Sequence, residues 1–313
     1  MRGLSTIPKL DNYLRYTIAA AFFPLTCTQA LWTQYDRFRY KPAGKRISVG
    51  SRELHAHVTG SGRTTIVLEA GMGGNLLDWS LVQPELSRDA TVVAYDRAGL
   101  GWSKGSGKPA TCKQYVEDLR SLLSALELQP PYVLVGHSFG GMVMRLFAAE
   151  YPDEVKGLIL VDAVHEGRYL AAEMSEQGRR HKDSLNQLRL GYLLSPAAIP
   201  RLTGRHIGSR RLPSPMLEQV KAAGYRSSAY KTLYAELLDA HESALQLATA
   251  ERLREDLPVV VLSAGQQDKE WHREQLRLAE LTSCTQHIVV RDSWHSIQIY
   301  RPDVVIDAIR SLL

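Results

Sequence analysis

The pentapeptide Gly136-His137-Ser138-Phe139-Gly140 has the form G-x-S-x-G, follows an apolar run at 132–135 and opens a helical pattern. A strand that turns tightly into a helix holds such a serine in a strained conformation, with its hydroxyl projecting from the carboxyl edge of a sheet. Gly136 and Gly140 let strand and helix approach closely enough for that turn. A serine of ordinary pKa is a weak nucleophile, so it needs a histidine base and a carboxylate to orient that base. Of the ten histidines, His295 is the candidate. It lies on the loop between the last β-branched run and the final helix, a loop that ends at the same sheet edge as Ser138. His137 is the variable position of the motif, and His55 and His57 alternate on an early hairpin expected to be exposed.

For the acid, Asp268 stands first: it follows the apolar run 258–262, precedes His295 by 27 residues and preserves the chain order serine, acid, histidine. Asp162, directly after the run 158–161, is the alternative because its loop reaches the same edge, and Glu270 is a nearby fallback. Asp96 and Asp292 read as loop-structuring residues. A tetrahedral intermediate needs two preorganised donors, each worth about 2.7–4 kcal/mol where such donors have been removed. The Phe139 amide, at a helix N-terminus, supplies one. The Met72 amide, in Glu69-Ala70-Gly71-Met72-Gly73-Gly74 after the run 65–68, is the second. The chemistry these residues can perform together is acyl transfer through serine, with no metal or organic cofactor required.

The elements that must position them are readable from residue 46 onward. Short β-branched runs at 47–49, 53–58, 65–68, 91–95, 132–135, 158–161, 258–262 and 287–290 alternate with helical patterns at 115–126, 139–150 and 273–281. A last helix carries Val304, Val305, Ala308, Ile309 and Leu312 at core spacing behind Pro302. The first two runs, around Gly50 and Ser51, read as an antiparallel hairpin, whereas the later runs lack alternation and suit a parallel sheet buried on both faces. Strand–helix alternation implies an α/β fold: an eight-stranded, mostly parallel sheet with helices on both faces. More than ninety residues after Val164 contain no strand pattern, too long for a plain connection, so 165–250 is expected to be an inserted helical cap. Residues 46–164 and 251–313 then form the core, and 1–45 an N-terminal segment.

Charge narrows the partners. The chain of 313 residues has a net charge of +5, but 1–45 holds seven basic and two acidic residues and 165–215 holds nine and four. Two basic segments therefore decorate a mildly acidic body. Neither interleaves its cations with aromatic stacking platforms, which argues against a nucleic-acid partner. The basic stretch of the cap, with Arg179, Arg180, Arg210 and Arg211 among its nine cations against four acids that include Glu173, reads as a solvated face or as a surface for anionic lipid or an acidic substrate. Cys27, Cys112 and Cys284 are too scattered for a disulfide framework or a zinc site. Residues 16–35 carry no charge over about twenty positions, the length of a bilayer span. Pro24 and several threonines weaken that span, and Arg2, Lys9 and Arg15 before it balance Arg37, Arg39 and Lys41 after it. The expectation is a membrane anchor or a surface-bound helix, with a cleaved signal or a helix packed on the body as the alternatives, hence a cytoplasmic or membrane-associated protein acting on a small acyl substrate.

The segments Leu68-Glu69-Ala70-Gly71-Met72-Gly73-Gly74, Tyr95-Asp96-Arg97-Ala98-Gly99-Leu100-Gly101-Trp102-Ser103 and Val135-Gly136-His137-Ser138-Phe139-Gly140-Gly141, with His295, resemble the α/β-hydrolase superfamily, especially its bacterial-type serine hydrolases. Ala70 stands where many members carry the histidine of an H-G loop, and Trp294 where a small residue precedes the catalytic histidine. The resemblance implies a serine hydrolase acting on a carboxylic ester. Acyltransferases, other cofactor-independent enzymes and hydrolase-like ligand receptors of the same fold are the alternatives. Members that open haloalkanes or epoxides use an aspartate nucleophile, and Ser138 stands against both.

Overall fold

Val, Ile and Leu dominate the central runs because each strand there is covered on both faces, and the side chains alternate strictly between two cores. Val67, Leu134, Leu158 and Val261 belong to one core, while Ile66, Val133, Ile159 and Val260, each one residue away, belong to the other. The computed structural model describes residues 7–313 apart from 51, 106 and 173, so Arg2, Ser51 of the expected hairpin turn and Glu173 of the basic stretch lie outside the described residues.

Eight strands form one sheet: β1 (Lys45–Val49), β2 (Arg52–Thr59), β3 (Thr65–Glu69), β4 (Thr91–Tyr95), β5 (Tyr132–His137), β6 (Val155–Val161), β7 (Val259–Ala264) and β8 (Thr285–Val290). Their order is β1-β2-β4-β3-β5-β6-β7-β8. β1 and β2 pair antiparallel, as do β2 and β4, and every other neighbouring pair is parallel. This is the mostly parallel α/β sheet expected from the strand–helix alternation, and it has the architecture that the resemblance to the α/β hydrolases implies.

The longer helices are α1 (Lys9–Ala21), α2 (Phe23–Arg39), α3 (Cys112–Ala125), α4 (Phe139–Glu150), α5 (Glu176–Leu194), α6 (Met216–Gly224), α7 (Ser227–Leu238), α8 (Ala240–Thr249), α9 (Lys269–Leu278) and α10 (Pro302–Arg310). α3 and α4 bury their apolar stripes in the first core and α10 in the second, so helices cover both faces. The chain between β6 and β7 is helical, with α5 to α8 as its main elements. α7 sends Glu236 and Thr232 toward the loops that follow β3 and β4 at the carboxyl edge.

Two local expectations change. The uncharged run 16–35 is not one helix: it is split between α1 and α2 at Phe22. Pro24 cannot donate and its ring conflicts with a continuing helix, so it sits instead in the first turn of α2, where a missing N–H costs nothing. No described helix is long and apolar enough to cross a membrane. His55, expected on an exposed hairpin, is buried because β2 pairs with β4 as well as β1. Its ring bonds Asp96 and the Ala43 carbonyl, each at 2.9 Å.

Candidate active site

β5 ends at His137 and α4 starts at Phe139, leaving Ser138 alone to turn the chain. Its φ of 52° and ψ of −120° lie where L-residues are rarely found, the strain expected of the sharp turn. The neighbouring glycines are required by space: a Cβ on Gly136 would lie 2.5 Å from the Gly140 carbonyl oxygen, and one on Gly140 would lie 2.6 Å from that of Ala70. Backbone bonds fix the turn, with the Ser138 amide donating to Val161 and its carbonyl accepting from Gly141 and Val164.

The Ser138 hydroxyl lies 2.9 Å from His295 Nε2, and His295 Nδ1 lies 2.7 Å from Asp162 Oδ2. The expected serine and histidine are therefore brought together, but the first-choice acid is not with them. Asp268 is the N-cap of α9, accepting the Trp271 amide at 2.8 Å, and its outer oxygen faces Arg180 at 3.3 Å. Its pKa is held below the usual carboxylate value, first by that amide bond. Glu270 lies within the first turn of α9. The carboxylate hydrogen-bonded to His295 is that of Asp162, the alternative of the sequence reading.

Asp162 is fully buried and collects four hydrogen bonds. Besides His295 it accepts the Ala264 amide and the Trp271 indole at 2.9 Å each on Oδ1, and the Gln267 amide group at 3.0 Å on Oδ2. Burial works against its charge, yet the His295 bond and charge, with the Ala264 and Trp271 donors, hold the carboxyl below its ordinary pKa. Like Ser138, it has a positive φ, 44°, so both residues sit on strained turns at the ends of adjacent strands. Trp271 closes the His295 ring edge-on at 5.1 Å. His137 packs against the same ring at 4.7 Å, and its Nε2 contacts the His295 carbonyl at 3.1 Å. Burial first, then the nearby His295, pushes the pKa of His137 down to about 3, so it stays neutral and Nε2–H donates.

The loop after β3 lies against Ser138: a Cβ on Gly71 would be 3.2 Å from the Ser138 Cβ. This puts Met72, next in the chain, beside the serine, while the Phe139 amide opens α4. A buried ionic network, missed by the sequence reading, holds that loop. Arg97 donates to the Ala70 and Gly71 carbonyls at 2.6 and 2.7 Å and pairs with Glu69. On its other side Arg97 meets Glu236 of α7 at 2.9 Å, and Glu236 also accepts the Gly73 amide at 2.8 Å and the Tyr115 hydroxyl at 3.1 Å. Burial alone would lower the Arg97 pKa, but Glu236 and Glu69 raise it well above its ordinary value, so the guanidinium stays charged. The signal for this network was partial: Arg97 stands among the quoted motifs, but nothing local marks Glu236, 139 residues away. Asp96 fastens the adjoining loops, accepting the amides of Leu76 and Trp102 at 2.9 Å each.

Residues 64–302 match the family described as alpha/beta hydrolase fold. An uncharacterised protein of Schizosaccharomyces pombe is 32% identical over 222 residues, which is 69% of this chain and 40% of that protein. A 2-hydroxy-6-oxo-2,4-heptadienoate hydrolase of Pseudomonas putida is 36% identical over 125 residues, 39% of this chain and 45% of the other. The chain thus spans less than half the length of these two curated relatives. Among solved structures, the epoxide hydrolase CorEH superposes with a TM-score of 0.70 at 19% identity, covering 86% of this chain and 97% of the other, a likeness of fold.

Proposed function

Because the chain belongs to the alpha/beta hydrolase fold family, we propose that it is a serine hydrolase that cleaves a carboxylic ester or related acyl compound through an acyl-enzyme on Ser138. The observation that carries this reading is the continuous hydrogen-bonded line from the Ser138 hydroxyl through His295 to Asp162, at 2.9 and 2.7 Å. With Nδ1–H given to Asp162, Nε2 of His295 is free to accept the serine proton as Oγ attacks the acyl carbon. The Phe139 and Met72 amides meet the oxygen that becomes negative. Collapse expels the alkoxide, which leaves as the alcohol with the proton that His295 took from Ser138. Water, losing a proton to His295, then attacks the acyl-serine, releasing the carboxylic acid and restoring Ser138.

A serine at position 138 also argues against epoxide opening, because attack on an epoxide carbon would leave an ether on Oγ that water does not cleave. In this reading the helical segment 165–250 is a cap over the carboxyl edge, tied to the oxyanion loop by Glu236. The test is labelling by a fluorophosphonate probe, followed by turnover of a short-chain p-nitrophenyl ester. Wild-type protein should label and turn over, and Ser138→Ala should do neither while its melting temperature stays nearly unchanged. An alanine variant that retains most of the turnover would refute the assignment.

A further inference from the structure

The two N-terminal helices are folded with their polar residues inward. In α1, Asp11 and Arg15 face the protein, together with Ile18. Asp11 is 3% exposed, pairs with Arg189 of α5 at 2.7 Å and accepts the Tyr234 hydroxyl at 2.8 Å. Arg15 reaches the Tyr192 carbonyl and the Ser195 and Ser227 hydroxyls. In α2, Gln29 donates to the Tyr225 carbonyl at 2.7 Å, and the buried Asp36 pairs with Arg201 at 2.6 Å. The outward faces carry the apolar residues instead. Phe23 is 65% exposed, Leu31 72% and Phe38 77%, and Leu10, Tyr13 and Tyr35 are equally open. A helix that docks on a protein core normally does the reverse, so these faces are built for a second apolar contact.

The charges point to what that contact is. Asp11 and Asp36 are the two acidic residues of segment 1–45, and both are buried in pairs with cap arginines. Lys9, Arg37, Arg39 and Lys41 remain exposed around the apolar face. At about 1.5 Å per residue α1 and α2 are roughly 20 and 26 Å long, short of the roughly 30 Å hydrocarbon core. We propose that the outward face of α1 and α2 docks the protein on an anionic lipid surface, the helices lying in the plane of the interface. The aromatic residues sit at headgroup depth and the cations meet the phosphates. This inference does not depend on the assignment of Ser138.

The experiment is flotation of the full chain with vesicles of phosphatidylcholine alone or mixed equally with phosphatidylglycerol. Wild type should float with the anionic vesicles, and less so as salt rises from about 0.1 to 1 M and the Debye length falls from about 10 to 3 Å. The triple variant Phe23→Ser, Leu31→Ser, Phe38→Ser should lose about tenfold or more of that partitioning, since three large side chains no longer enter the interface. A variant with Lys9, Arg37, Arg39 and Lys41 changed to Gln should bind both vesicle types equally weakly. Because all of these side chains point outward, melting temperature and far-ultraviolet circular dichroism should match wild type. Wild type that stays unbound, or a triple variant that floats as well as wild type, overturns the proposal. So does light scattering that shows a wild-type dimer, dissociated by the triple variant, without vesicle binding, since the occupant would then be a second copy of the chain.

Discussion

At the scale of single residues, the two aspartates that competed for the role of acid make separable predictions. Asp162→Asn should lower kcat for an ester by about 10⁴, because the amide cannot accept Nδ1–H while also serving the other donors, and the histidine loses its working tautomer. Asp268→Ala removes an N-cap and should cost about 0.5–2 kcal/mol of stability, with a much smaller effect on kcat. Steady-state kinetics and thermal melts on the two variants decide between them, and the reverse ranking of kcat would return the role to Asp268. A third carboxylate tests burial. Asp78, in the capping box of the 3₁₀ turn after the glycine-rich loop, has its pKa raised from 3.8 to about 7 by desolvation. Folding therefore favours its protonated form. That contribution is full below the unfolded value and is lost as pH rises through about 7. Asp78→Asn, which keeps an acceptor for the Asn75 amide, should consequently gain melting temperature relative to wild type more at pH 8 than at pH 5. A difference independent of pH would contradict the burial argument.

At the scale of elements, what could be read in advance follows from what each pattern encodes. All eight strands were legible because period and β-branching report burial on two faces, and strand 91–95 agrees to the residue with β4. The serine was legible because its turn needs glycines in fixed places. Which carboxylate meets His295 was not, because β6 and β7 end at the same edge and each is followed by an aspartate; chain order fits both. Two local signals separate them. Asp268 precedes Trp271 by the spacing of an N-cap and its amide, and α9 begins there rather than at the expected residue 273. Asp162 follows its strand with no intervening loop. The Arg97 and Glu236 pairing was invisible because it joins distant elements. Removing Glu236 leaves Arg97 its pair with Glu69 but orphans the buried Gly73 amide and Tyr115 hydroxyl, so Glu236→Ala should cost about 1–3 kcal/mol in a thermal or denaturant melt. Glu236→Gln, which still accepts the Gly73 amide, should lose less.

For the whole molecule, part of the basic stretch 165–215 is taken up in ion pairs. Arg168 pairs with Glu274, Arg180 with Glu176, and Arg189 and Arg201 with the aspartates of α1 and α2. Those four arginines are held in ion pairs, the last two fastening α1 and α2, while Arg179, Lys182, Arg205, Arg210 and Arg211 stay exposed, as Lys9, Arg37 and Arg39 do on the N-terminal helices. The double variant Arg189→Ala, Arg201→Ala should loosen these helices, seen as faster proteolytic cleavage within 9–39 at unchanged cleavage of the sheet. Equal cleavage of wild type and variant would show that apolar contacts alone, such as Ile18 against Leu193 and Tyr234, suffice to hold them.

The Glu236 carboxylate also bears on how such a protein can be rebuilt. One of its oxygens holds Arg97 and the other holds the Gly73 amide, so a single side chain from the helical segment completes the loop beside Ser138. That segment is not an interchangeable cassette. A chimera that takes its helices from another scaffold inherits an arginine without one of its two carboxylate partners and a Gly73 amide without its acceptor, unless a carboxylate arrives at the same place. Arg97 and Glu236 must be transplanted together or replaced together.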